Sequence, residues 1–262
     1  MIIPFLRYTV ANFFIFIKNL FLYPFSQQAR YKLSSAHEKL TYPYFGNYYV
    51  DLSMLLQNTE LTVNMSPVKS NEHNTTAFEL LGICALLKDR GCNSIFEIGT
   101  YDGRTTRAMA MNLADESGKI YTLNLPLETN QVLLATNVVD IDLSKKVLSG
   151  ERFLNTPVKK YIVQLWGDSA LFDFSSYFDK MDMVFIDGAH GVEYVERDTG
   201  NAIKLIKKSG GIIIWHDAHL YGVRNFISSW IKQNGYPLYF IKDTSLAVAG
   251  VKDDTIVDLR YM

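Results

Sequence analysis

From about Thr75 onward, apolar and polar positions fall into blocks that can be assigned one at a time. In TTAFELLGICALLKDRG the apolar side chains recur at helical spacing and a glycine follows the last turn, which predicts a helix. NSIFEI is a short apolar run that stops at Gly99, as a buried strand does. GRTTRAMAMNLA predicts a helix closed by DESG, and KIYTLNL a second strand closed by Pro126. Residues 127–160 carry no clear period, although SKKVLSGERFLN within them reads as one helix. YIVQLWG is a third strand, FSSYFDK a short helix or turn, and MDMVFID a fourth strand with a continuous apolar centre. GVEYVERDTGNAIKLIKKSGG puts Val192, Val195, Ala202, Ile203 and Ile206 on one helical face and ends in glycines. GIIIWHD is a fifth strand and VRNFISSWIKQNG a further helix. PLYFIKD and SLAVAGV close the chain as two strands joined by a short turn, an antiparallel pair.

Strands that alternate with helices predict an α/β fold: a doubly wound, mainly parallel sheet of seven strands with an antiparallel C-terminal pair. The strands are apolar without alternation, as expected when helices cover both sheet faces. In such sheets ligands bind at the carboxyl ends of the strands. Chemistry is therefore expected just after Ile98, Leu123, Trp166, Ile186 and Trp215.

The N-terminal part, residues 1–70, does not follow this pattern and is read as an extension to a domain over 71–262. Its first acid is Glu38, whereas Arg7, Lys18, Arg30 and Lys32 are basic, and large apolar side chains fill YTVANFFIFI and NLFLYPFSQQA. A spanning helix needs about 18 or more apolar residues in a row, and Lys18 interrupts this run. Arg7 and Lys18 stand eleven residues apart and so share nearly one helix face. A helix lying on a membrane surface through residues 1–25 fits this pattern. An arm packed on the core or on a second copy in a homo-oligomer fits it slightly better. A cleaved leader fits least, because no small-residue cleavage site follows the apolar stretch.

The formal net charge of −1 argues against nucleic acid as a partner, since binding it needs a strongly basic surface. Cys84 and Cys92 form neither a disulfide framework nor a four-ligand metal spacing, which fits a reducing, cytoplasmic setting.

The first strand runs into FEIGTYDGRTT. This is G-x-x-x-G and lacks the middle glycine of the G-x-G-x-x-G fingerprint that admits a pyrophosphate. Acids stand where phosphate-binding groups would be, which suits a nucleoside carrying positive charge. With YTLNL and FIDGAH following in order, the chain over roughly Thr75 to Val251 resembles the class I S-adenosylmethionine-dependent methyltransferases, which are Rossmann-like. The resemblance is to the branch that methylates oxygens of small molecules and sugars. It implies S-adenosylmethionine as cofactor and a small hydroxylated acceptor, a sugar or glycan precursor or a natural product, as substrate.

The resemblance also implies site residues. Glu97, Gly99, Thr100, Tyr101 and Gly103 form the cofactor loop, with the two glycines letting it pass close under the ligand. Glu97 either accepts from the cofactor's ammonium group or simply braces the loop. Asp102 and Thr105 suit capping of the next helix. Asn124 stands where the family usually has an acid bridging the ribose hydroxyls. Asp168, with Ser169, either accepts from the adenine amino group or caps ALFDF. Asp187 and Asp217 end neighbouring strands and lie beside the expected methyl group. In one reading they hold Mg²⁺ with His216, although His216 and Ala218 make the ligand set incomplete for a hard ion. In the other, His190 or His219 is the general base and Asp187 or Asp217 orients it. Two rival functions remain open: a non-catalytic S-adenosylmethionine-binding or scaffold protein, motivated by Asn124 and the incomplete ligand set, and a nicotinamide-dependent oxidoreductase, which the missing glycine disfavours.

Overall fold

The computed structural model describes residues 49–68, 74–129, 132–134, 148–234 and 238–262. The expected membrane-facing or packing segment at 1–25 lies outside them. The strands are β1 (Tyr49–Val50), β2 (Ser94–Ile98), β3 (Lys119–Asn124), β4 (Ile162–Trp166), β5 (Met183–Ile186), β6 (Gly211–Trp215), β7 (Tyr239–Ile241), β8 (Ala247–Lys252) and β9 (Thr255–Val257). The helices are α1 (Ala77–Asp89), α2 (Arg104–Ala110), α3 (Glu151–Leu154), α4 (Val192–Leu205) and α5 (Tyr221–Asn234).

Among the described residues, nine strands join one sheet in the order β1-β7-β8-β6-β5-β2-β3-β4, with β9 beside β8. The ladders β2·β3, β3·β4, β2·β5 and β5·β6 are parallel, and β8 runs antiparallel to both β6 and β7. This is the doubly wound sheet with an antiparallel C-terminal pair, widened from seven strands to nine by β1 and β9. Those two strands have two and three residues, too few for a periodic signal to show. The chain passes β2→β3→β4 toward one edge and then returns to place β5 on the other side of β2, so the topological switch point lies between β2 and β5.

Residues before 70 reach further into this unit than an extension would. β1 pairs with β7 through Tyr49↔Phe240, and Val50 and Leu55 are buried in the same core as Ile83, Ile95, Phe185 and Ile214.

The helix expected over SKKVLSGERFLN is only α3 at its described end. Gly150 has φ +73, a left-handed conformation that stops a helix from running through it. Its N–H donates to the Tyr101 carbonyl and that of Arg152 to the Asp102 carbonyl, which fastens α3 to the glycine-rich loop. Phe153 fills the space beneath.

Candidate active site

The switch point brings the end of β2 against the end of β5. Asp187 N–H donates to the Ile98 carbonyl, and Gly99 N–H to the Leu123 carbonyl. Gly99 has φ +102, and a Cβ there would stand 2.1 Å from the Asp187 carbonyl oxygen. At Gly103, with φ +83, a Cβ would meet the Phe153 ring at 2.6 Å. Both glycines are thus required by the protein's own packing, before any ligand is considered. Gly103 is the N-cap of α2, and Asp102 just before it accepts from Arg104 N–H at 3.0 Å, while Thr105 Oγ1 meets Thr75 Oγ1 at 2.8 Å.

Glu97 is fully buried beneath this loop. Thr106 and Thr122 hydroxyls both donate to its Oε2, and Thr100 joins the chain through Thr122. Its Oε1 has no hydrogen-bond partner. Burial pushes the carboxyl up to about 8, although the two threonines pull it down, so it carries a proton at neutral pH. This geometry supports the bracing role; a fully buried carboxyl presents nothing to a ligand above the loop.

Asn124, at the end of β3, uses its Oδ1 to accept from the Thr100 and Tyr101 amides, both at 3.2 Å, while its Nδ2 donates to the Leu125 carbonyl. It therefore holds the loop in place from the position where the family usually presents an acid. After β4, Asp168 accepts from Ala170 N–H and Leu133 N–H and from the Tyr194 hydroxyl at 2.9 Å on both oxygens. No helix follows it: Asp168 closes a turn, its carbonyl accepting from Leu171 and Phe172 N–H, and adds a tie to α4. Ser169 lies against Asp198 of α4, whose carboxyl is buried without a hydrogen-bond partner of its own.

The ends of β5 and β6 carry the densest polar group. His216 Nδ1 is 2.8 Å from Asp187 Oδ1 and 3.3 Å from Asp217 Oδ2. His190 Nε2 is 3.1 Å from the same Asp217 oxygen. Glu79, from α1, brings Oε2 to 3.5 Å from His216 Nε2. Burial opposes charge on the imidazole, yet Asp187 and Asp217 outweigh it and hold His216 well above its usual value. Burial likewise opposes charge on Asp217, but His216 and His190 keep it well below the carboxylate range. Asp187 is raised, because burial there exceeds what His216 returns. Glu79 is lowered, its burial outweighed by His216, Ser245 and Thr76.

Asp187, His190 and Asp217 could each turn one ligand atom inward, all within 4.8 Å of one another. The ring N–H of His216, however, already lies between the two carboxylates where an ion would bridge them. With one imidazole in the donor set and a cation between the acids, the group fits Mg²⁺, which asks for oxygen ligands in a near-ideal octahedron, poorly. His216, read from the sequence as a ligand, acts instead as an internal counter-ion to both acids. His219 sits half-buried in the turn before α5.

Sequence reasoning did not single out Glu79, Ser245, Tyr194 or Asp198. Glu79 and Ser245 lie far in sequence from the strand ends, and their own segments read as an ordinary helix start and a turn. Asp198 carried a signal, an acid in the buried stripe of an amphipathic helix.

Residues 96–218 match a family described as a methyltransferase domain. No curated protein matches the chain. Among solved structures, the chain is similar to an O-methyltransferase from Bacillus cereus in complex with SAH, at 16% identity and TM-score 0.49, with 70% of this chain and 84% of that one covered. It is also similar to the O-methyltransferase TomG from Streptomyces achromogenes, involved in tomaymycin synthesis and in complex with SAM, at 18% identity and TM-score 0.48, covering 69% of this chain and 82% of that one.

Proposed function

We propose that the chain, whose residues 96–218 match a methyltransferase-domain family, moves the methyl group of S-adenosylmethionine to a hydroxyl oxygen of a small hydroxylated acceptor, a sugar or glycan precursor or a natural product. The observation that carries this reading is the His190–Asp217 pair, 3.1 Å apart, at a strand end beside the glycine-rich loop. The sulfonium methyl is already activated, so the protein must align the acceptor oxygen with it and remove the hydroxyl proton. Asp217, kept ionised and 3.1 Å from His190 Nε2, favours the tautomer protonated at that nitrogen, which leaves the lone pair on Nδ1 as a general base for the acceptor hydroxyl. Thr100, Tyr101 and Asn124 shape the cofactor's bed, and Asp168 with Ser169 forms its adenine end. Asp187 faces the reacting methyl and shares a proton with His216.

Calorimetric titration of the full chain with S-adenosylmethionine should give saturable heat. A radiolabelled transfer assay on a panel of polyhydroxylated small molecules should find an acceptor. His190→Ala should then bind cofactor as the wild type does but transfer at least about a hundredfold more slowly. Absence of any cofactor heat overturns the proposal. Cofactor binding with no transfer to any member of the panel would favour a non-catalytic binding protein, the second reading that Asn124 supports by spending its oxygen on the loop.

A further inference from the structure

The polar group at the strand ends is held from outside the sheet. Glu79 closes the capping box of α1: Thr76 N–H donates to its Oε2 at 2.8 Å, and Glu79 N–H donates to Thr76 Oγ1. Capping accounts for one of its bonds only. Its Oε1 accepts from Ser245 N–H at 2.8 Å and from the Ser245 hydroxyl at 2.6 Å. Ser245 in turn grips the chain after β6: its Oγ accepts from Asp217 N–H at 3.3 Å and its carbonyl from Ala218 N–H at 2.8 Å.

Asp217 needs that grip. Its φ is +50, the left-handed region, which costs a residue with a Cβ on the order of 1 kcal/mol. Such a conformation persists only where neighbours over-determine it, and the two Ser245 bonds do so here. From the same carboxylate, Glu79 Oε2 stands against His216 Nε2, whose ring aligns Asp187 and Asp217 on its far side. One buried side chain thus reaches both the backbone of Asp217 and the ring beside it.

We propose that Glu79 is a positioning residue: through Ser245 and His216 it sets where the Asp187 and Asp217 carboxylates stand, and with Asp217 the orientation of His190. This takes the strand-end cluster to be the site of the proposed transfer. Glu79 touches neither cofactor nor acceptor. Its sequence position, at the third residue of a helix over a hundred residues upstream, gives it the look of a cap alone.

The test uses the full chain with ¹⁵N-labelled histidine and compares Glu79→Gln, Ser245→Ala and Thr76→Ala. Thr76→Ala breaks the capping box from its other side and leaves the Glu79 carboxylate in place. Glu79→Gln keeps size but removes the charge facing His216. The expected result is that the His216 and His190 ring signals shift in Glu79→Gln, that the His190 signal shifts in Ser245→Ala, and that both stay at their wild-type positions in Thr76→Ala. Unchanged ring signals in Glu79→Gln overturn the proposal, as does an equal shift in Thr76→Ala, which would make Glu79 a helix cap and nothing more. Titration of the same samples with S-adenosylhomocysteine keeps the two readings apart. Wild type that fails to bind it would remove the proposed methyl transfer and leave the ring signals to decide on Glu79.

Discussion

Asn124 does at residue scale what a carboxylate could do with an oxygen to spare. Its single Oδ1 is shared between the Thr100 and Tyr101 amides. Asn124→Asp would keep one oxygen for those amides and offer the second, with charge, to a ribose hydroxyl. We expect calorimetry to show S-adenosylmethionine binding tightened on the order of tenfold, as a charge-assisted hydrogen bond allows. Two other residues predict a pH dependence of stability. Burial raises Glu97 from 4.5 to about 8 and Asp198 from 3.8 to about 7. In both, the folded chain keeps a proton that the unfolded chain releases, so the stabilisation is complete at pH below the ordinary carboxylate values and is lost as pH rises through about 7 to 8. For Asp198 that difference is worth about 4 kcal/mol at most. Thermal melts should show the wild-type Tm falling from about pH 5 to about pH 9, and Asp198→Asn should flatten that fall and gain most at the alkaline end. A slope unchanged in Asp198→Asn would show that its carboxyl ionises as freely folded as unfolded.

At the scale of elements, close backbone approach decides what the site can tolerate. Gly222, in the first turn of α5, lies so near the loop after β5 that a Cβ would stand 1.8 Å from the His190 carbonyl oxygen. Gly222→Ala must push α5 and the His190 loop apart. We expect it to separate His190 from Asp217 and abolish transfer while leaving cofactor binding within a few fold of wild type, a split read by calorimetry against the transfer assay. An active Gly222→Ala enzyme would show that the His190 loop need not be clamped. Gly99 allows no such split, because a side chain there meets the Asp187 backbone and disturbs the fold along with the site. The elements themselves were legible where their pattern is long. The ends of β2, β3, β4, β5 and β6 lie within a residue of where the apolar runs placed them. The short pieces β1, β9 and α3 were not, because two to four residues cannot display a period and are fixed by what they pair with or pack under.

For the whole molecule, the sheet and its switch point put Gly99, Asn124, Asp168, Asp187 and Asp217 at the carboxyl ends of strands in one sheet. Among the described residues no helix is long and apolar enough to cross a membrane. For the N-terminal run of Phe and Ile with Arg7 and Lys18 the two expectations are a helix lying on a membrane surface and an arm packed on the core or on a second copy. Liposome flotation of the full chain against a chain beginning at Leu33 separates the two: co-flotation of the full chain alone supports the bilayer, and equal behaviour supports the packed arm. The sequence by itself determined the α/β class, the strand order along the chain and the glycine-rich turn after β2, because apolar periodicity and glycine placement are local and survive being read one residue at a time. It also named the acids and histidines at the strand ends. Only the tertiary structure decided which groups they touch. It set His216 between Asp187 and Asp217, joined His190 to Asp217, made Asn124 a brace, and brought Glu79 and Ser245 to the site. Those contacts hold over distances of about 3 Å between residues up to 166 positions apart, and they are created by packing, which leaves no periodic trace in the chain.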